Sequence, residues 1–252
     1  MDKVSPKKQL GQHFLTDSSI AQHIVDSLSK EHQNVMEIGP GMGVLTRFLL
    51  NRHPNFKAVD VDQESVQYLK FHYPESENNF LYADFLRLKE GEVFQEEYAI
   101  IGNFPYNISS QILFKMLDER NQVTELVGMF QREVARRVIS PPGNKDYGIL
   151  SVLIQAFYTG EYLFTVNEGS FNPPPKVKSG VIRLKRNEVK SLPCDETRFI
   201  RVVKAGFNQR RKTLRNALKP VTKPGFQHEF LDKRAEQLSV DDFVQLTLAI
   251  EE

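Results

Sequence analysis

Asn34-Val35-Met36-Glu37-Ile38-Gly39-Pro40-Gly41-Met42-Gly43 is the stretch that decides the fold. An apolar run of strand length stops at three alternate glycines. Val44, Leu45, Phe48 and Leu49 then recur at helical spacing. The segment therefore reads as strand, glycine turn and helix. Glycines accept positive φ and let a ligand lie against the backbone, and the helix start offers unpaired amides.

Working outward, further strands are expected at 56–60, 79–83, 98–102, 123–130, 150–158 and 178–184. Helical patterns fall between them, as at Val66, Leu69, Lys70 and Tyr73. Ile112, Leu113, Met116 and Leu117 form another, after Ser109 or Ser110 as N-cap. Such alternation predicts an α/β fold, a mostly parallel sheet with helices on both faces. Right-handed crossovers then align the strand C-terminal ends along one ligand-binding edge. Between Tyr158 and Lys178, the prolines Pro173 to Pro175 suit a long connection or hairpin and leave no room for a crossover helix.

After Leu184 the texture changes. Lys185 to Thr197 is polar and reads as a linker, and 198–218 and 227–250 read as helical, broken by Pro220 to Gly225. The expected division is a cofactor-binding domain over 1–187 and a small all-helical domain over 188–252. The net charge of +1 hides a local asymmetry, because Arg198 to Lys219 holds eight Lys or Arg and no acidic residue. Apolar residues there give the stretch a buried side, which leaves Arg210, Arg211, Lys212 and Arg215 for RNA phosphates. One cysteine, no apolar run long enough for a bilayer and no apolar signal core point to a cytoplasmic chain with no membrane partner. Nothing suggests oligomerisation, so a monomer is expected.

The glycine turn alone fits a dinucleotide as well as other nucleosides. Asp60 ends the second strand, about 20 positions on, within reach of ribose hydroxyls. Three features favour S-adenosylmethionine. Glu37 precedes a G-x-G-x-G spacing, where it would repel a pyrophosphate. Asp84 ends the third strand and can accept from an adenine amine, with Phe85 covering the ring. The fourth strand ends in Asn103-Phe104-Pro105-Tyr106.

That last tetrapeptide suits transfer to an adenine 6-amino group. The amine is neutral but its lone pair is delocalised, so two acceptors that hold its hydrogens assist it. The Asn103 side-chain carbonyl is one, and a backbone carbonyl at Phe104 or Pro105 is the other. Tyr106 offers a face on which an extruded base can stack. No metal is required.

Together these residues resemble the KsgA family of small-subunit ribosomal RNA adenine dimethyltransferases. The resemblance runs from Lys7-Lys8-Gln9-Leu10-Gly11-Gln12-His13-Phe14-Leu15 through the motifs above. It continues to Phe171-Asn172-Pro173-Pro174-Pro175-Lys176-Val177 and Phe207 to Asn216. It implies a Rossmann-like class I methyltransferase sheet. It also implies that the N-terminal segment closes over the cofactor with His13 and Leu15, and that Gly39 lies against its methionine part; Gly41, on the same glycine loop, is a further cofactor-binding candidate. Asp60 would take its ribose and Asp84 its adenine, with Asn103 between cofactor and target amine. The substrate it implies is a pair of adjacent adenosines near the 3′ end of the small-subunit RNA, dimethylated late in subunit assembly. Phe171 is a candidate lining of the base pocket. His13 stands where the family usually has Asn, Asp60 where Glu is frequent, and Phe104 where Leu is frequent.

Rival readings are a large-subunit RNA adenine methyltransferase, a non-catalytic assembly or transcription factor, and an NAD-dependent oxidoreductase. The dipeptide Pro193-Cys194 lies in the linker, away from the strand ends, and is set aside as a nucleophile. The histidines show no metal-ligand spacing, and His53, His72 and His228 are expected at the surface.

Overall fold

A computed structural model describes residues 4–251. Its strands in chain order are β1 (Phe14–Leu15), β2 (Asn34–Ile38), β3 (Asn55–Asp60), β4 (Phe80–Tyr82), β5 (Tyr98–Asn103), β6 (Val123–Gln131), β7 (Tyr158–Val166), β8 (Phe171–Asn172) and β9 (Ser179–Arg186). The main sheet has the order β4-β3-β2-β5-β6-β9-β7. The strands β4, β3, β2, β5 and β6 pair in parallel, and β9 joins β6 antiparallel. Val35, Ala99, Ile100, Ile101, Leu126 and Val127 are fully buried, as central parallel strands demand.

Strand order reverses between β2 and β5. The chain moves outward through β3 and β4, then returns to the other side of β2. That switch point opens a crevice at the strand carboxyl ends. The carboxyl ends of β2, β3 and β5, and the turn after β4, deliver Glu37, Asp60, Asn103 and Asp84 to it. A separate two-stranded pairing, β1 with β8, sets Leu15 opposite Phe171.

Helix starts follow local chemistry. Asp17 accepts from the Ser19 and Ile20 amides at 2.9 and 3.2 Å and opens the helix Ser18–Asp26. Asp62 caps Gln63–His72. Neither expected serine caps Ser109–Asp118: Ile108 holds that position, and the Ser109 hydroxyl donates back to the Pro105 carbonyl at 3.1 Å.

The segment 150–158, expected as a strand, is instead the helix Ile149–Gln155, and β7 begins at Tyr158. Ser151, Val152, Leu153 and Ile154 are all buried, so the apolar run reports burial and carries no period to separate the two structures. The Gly148 amide donates to Ser151 Oγ at 2.9 Å at its start. His53, expected at the surface, is buried, and its Nδ1–H donates to the His32 carbonyl at 2.7 Å.

The chain forms two compact units. One contains the residues up to Ala135 together with Gly160–Arg186; the other contains Arg136–Thr159 and the residues from Asn187 onward. The second unit thus takes in a segment that the sequence reading leaves in the first domain. Within it, Ile149–Gln155 packs against the helices Glu196–Asn208 and Val240–Glu251. Phe207 sits between Tyr147 and Phe243, with ring centroids 6.0 and 5.8 Å away. The stretch 227–239, expected as helix, forms the short turns Glu229–Asp232 and Ala235–Gln237 before Val240–Glu251 begins.

Candidate active site

A cavity of about 330 Å³ lies at the switch point, bordered by Gly39, Asp60, Asp84, Asn103, Pro105 and Tyr106. A neighbouring hollow of about 510 Å³ is bordered by Leu15, Glu37, Gly43 and Tyr68. Phe14, Gly39, Gly41 and Asn103 belong to the walls of both. Of the residues expected at the site, Gly39, Gly41, Asp60, Asp84, Asn103, Pro105 and Tyr106 thus border adjoining hollows.

The loop after β2 turns on positive φ at Gly39, Gly41 and Gly43, at 68°, 55° and 79°. A Cβ on Gly41 would come within 2.9 Å of the Phe14 ring, so the glycine lets that ring lie on the loop. Beneath it Glu37 is only 2% exposed and accepts from Thr46 Oγ1 at 2.7 Å. Burial pushes its carboxyl up to about 8, against the Thr46 bond. Asp60 is also buried. Its carboxylate accepts from the Asp62 amide at 2.8 Å and the Gly41 amide at 3.3 Å, and burial raises its pKa to about 6. Asp84 accepts from the Leu86 amide at 3.0 Å and faces the exposed Arg87 at 3.3 Å.

Asn103 Nδ2 donates to the His13 backbone carbonyl at 2.9 Å. A carbonyl only accepts, so this bond fixes which end of the amide is nitrogen and presents Oδ1 as an acceptor. The next residue is held from below. The Phe104 side chain is 1% exposed and its ring fills the space over Gly102 and Gly128, where added Cβ atoms would meet it at 2.7 and 2.1 Å. The Pro105 carbonyl already accepts from the Ile108 amide at 3.2 Å and the Ser109 hydroxyl at 3.1 Å. Tyr106 bonds through its hydroxyl to Ser179 Oγ at 2.6 Å, and burial raises its pKa. The His13 ring stacks near it, with centroids 5.5 Å apart and planes 27° apart, while His13 Nδ1–H donates to the Pro173 carbonyl at 2.8 Å.

The sequence model of the family described as "Ribosomal RNA adenine dimethylase" matches residues 4–252. A protein of Cytophaga hutchinsonii named "Ribosomal RNA small subunit methyltransferase A" is 58% identical over 252 residues, which cover 98% of each chain. The chain belongs to the ribosomal RNA adenine dimethylase family. The crystal structure of a dimethyladenosine transferase from Plasmodium falciparum is similar, with TM-score 0.81 and 25% identity over 95% of this chain and 98% of that one. The 23S rRNA methyltransferase ErmE shares the fold, with TM-score 0.68 and 23% identity over 95% of this chain and all of the other.

Against this dimethylase background, several expected side chains lie elsewhere. Phe85 is 5% exposed and packed inward, and Leu86 reaches the cavity in its place. The cause is local: Asp84 starts a short turn over Phe85–Arg87, which turns the first side chain toward the core. Phe171 is buried in the hydrophobic core opposite Leu15 and borders neither hollow. In the helical unit, Arg210 donates to the Lys145 and Tyr147 carbonyls at 2.7 and 2.8 Å, and Arg215 pairs with Asp232 at 3.0 Å. Arg211 and Lys212 are exposed. The sequence reading passed over Gln12, Phe14, Val61, Leu86 and Asn107, all on the cavity wall. Gln12 and Phe14 stand inside the quoted N-terminal motif, but an irregular segment has no period from which to read its inward side.

Proposed function

We propose that the chain transfers methyl groups from S-adenosylmethionine to the 6-amino groups of two adjacent adenosines in the 3′-terminal hairpin loop of small-subunit ribosomal RNA. The observation that carries this reading is the Asn103 amide. It stands on the wall shared by two hollows, and with its nitrogen tied to the His13 carbonyl its oxygen is the end that serves as acceptor for an amine.

The residues suit the donor. S-adenosylmethionine supplies a methyl group on a positively charged sulfur. Asp60 takes the ribose hydroxyls and Asp84 the adenine amine. Asp84 can turn from Arg87 at little cost, because an exposed ion pair is weak. The glycines at 39 and 41 give the methionine part access to the backbone.

At the target, Asn103 Oδ1 and the Phe104 carbonyl each hold one amine hydrogen. The Pro105 carbonyl is fully engaged, which favours Phe104 as the second acceptor. Both acceptors stabilise the positive charge that grows on nitrogen as it takes the methyl group, and they direct its lone pair at the carbon. Tyr106 holds the extruded base by stacking, worth about 1–3 kcal/mol. As the nitrogen–methyl bond forms the sulfur–methyl bond breaks, S-adenosylhomocysteine is the leaving group, and the methylated nitrogen gives its extra proton to water.

The 58% identity to a protein named for the small subunit supports that substrate over large-subunit RNA. Action on immature subunits, as a monomer in the cytoplasm, belongs to the same proposal. The likeness to the family and the single cysteine support it. No helix among the described residues is long and apolar enough to cross a membrane.

Labelled S-adenosylmethionine and immature small subunits lacking the modification test the reading. Label should map to two neighbouring adenosines, and Asn103→Ala should abolish it while S-adenosylhomocysteine affinity stays within about tenfold. Full incorporation by Asn103→Ala would reject the assigned site.

A further inference from the structure

Residues 7–16 cross the cavity as a strap. Gln9, Gly11, Gln12 and His13 line it from above, and Phe14 lies on the glycine loop. Its far end is fixed by β1–β8 pairing and by the Thr16 amide, which donates to the Ser170 carbonyl at 2.9 Å. Its near end is fixed by different chemistry. Lys7 Nζ hydrogen-bonds to Asp62 Oδ1 and lies 3.2 Å from Glu64, while Gln12 Nε2 donates to Asp62 Oδ2 at 3.1 Å. Gln12 Oε1 accepts from the Lys7 amide at 2.7 Å, which closes a ring between the two strap residues and the carboxylate.

We propose that Lys7 and Gln12 are positioning residues that latch this strap onto Asp62 and so set how long the cofactor stays bound. The inference rests on the reading of the cavity as the S-adenosylmethionine site.

The physics lies in the burial of Asp62. Its side chain has no exposed surface, whereas that of Lys7 is 34% exposed. Burial alone would push the Asp62 carboxyl up, yet the bonds from Lys7, Gln12 and the Glu64 amide bring it below its usual value. With the strap lifted, Asp62 would keep the Glu64 amide and lose both strap donors. Lifting the strap would admit water to that carboxylate, so closure is favoured by the modest margin of charge-assisted bonds over hydration.

The residue that the latch grips also touches a ligand group: the Asp62 amide donates to Asp60, the proposed ribose acceptor, at 2.8 Å. Farther along the strap, the His13 carbonyl holds the Asn103 amide. Closing the latch thus sets an acceptor at each end of the proposed cofactor.

Lys7→Met keeps the aliphatic stem and removes the charge, and Gln12→Leu removes the second donor. Asp62 itself is unsuited to the test because it caps Gln63–His72. Stopped-flow release of S-adenosylhomocysteine from the full chain should speed up about threefold in either variant, in keeping with a partly exposed ion pair. At saturating cofactor, kcat of Lys7→Met, which lies outside the cavity wall, should stay within about twofold of the parent. Lys7→Arg should restore the slow release. Added salt should speed release from the parent and leave Lys7→Met unchanged. A merely structural role for Lys7 would lower thermal stability without that salt signature. Parent-like release from both variants would overturn the latch while leaving the cavity reading intact. Failure of the parent to bind S-adenosylhomocysteine would overturn both.

Discussion

Glu37 holds a carboxyl where water cannot solvate its charge. Burial raises its pKa from the ordinary 4.5 to about 8, against the opposing hydrogen bond from Thr46. The folded chain therefore keeps a proton that the unfolded chain releases between these values. Stability from this group is full below pH 4.5 and declines as pH climbs to about 8. Asp60 acts in the same sense over the lower interval, from 3.8 to about 6. Scanning calorimetry of the cofactor-free protein should show Tm falling as pH rises through the upper interval. Glu37→Gln should flatten that fall above pH 6 and leave the Asp60 part below it. An unchanged slope in Glu37→Gln would refute the assignment. Glu37, Asp60, Asp84 and Asn103 are legible as candidates because each is a polar side chain at or just beyond the carboxyl end of an apolar strand. Phe85 and Phe171 are not, because aromatic character fits a pocket and a core equally well. Their burial depends on a turn and on a strand pairing that one sequence does not display.

The loop after β5 is positioned by an element-level fit. The Phe104 ring stands over Gly102 and Gly128, on neighbouring strands, and lies 5.0 Å from the Phe130 ring. Gly128 makes no proposed contact with any ligand, but a Cβ there would fall 2.1 Å from Phe104 Cε2. Gly128→Ala should cost about 1–3 kcal/mol through overpacking. It should lower methyl transfer by about tenfold, because small shifts of reacting groups are expensive. Chemical denaturation and methyl incorporation measure the two effects, and full activity would show that the ring is not needed to place the backbone. At this scale the parallel strands were readable from their apolar runs and ends. The run 150–158 misled because a helix buried on all sides loses its period, and only length and flanking residues remain to judge by.

For the whole molecule, a net charge of +1 says little about RNA, and the cations near Arg210 divide between structural and exposed positions. Arg210 spends its guanidinium on two backbone carbonyls, so Arg210→Ala should destabilise the protein by about 1 kcal/mol or more. Arg211→Ala with Lys212→Ala should instead leave stability unchanged and weaken RNA binding. The salt slope of log K should drop by about 1.5 for two lost phosphate contacts. An unaltered slope would remove these two from the interface. Charge clustering was visible in the sequence, but the division of labour among adjacent cations was not, since it depends on carbonyls some 65 residues away. The compact units interleave along the chain, with Arg136–Thr159 belonging to the later one. During translation, Ile149–Gln155 therefore leaves the ribosome well before its packing partners Glu196–Asn208 and Val240–Glu251. At about 5–20 residues per second, its apolar surface waits several seconds for the last helix, an interval in which a chaperone can find it.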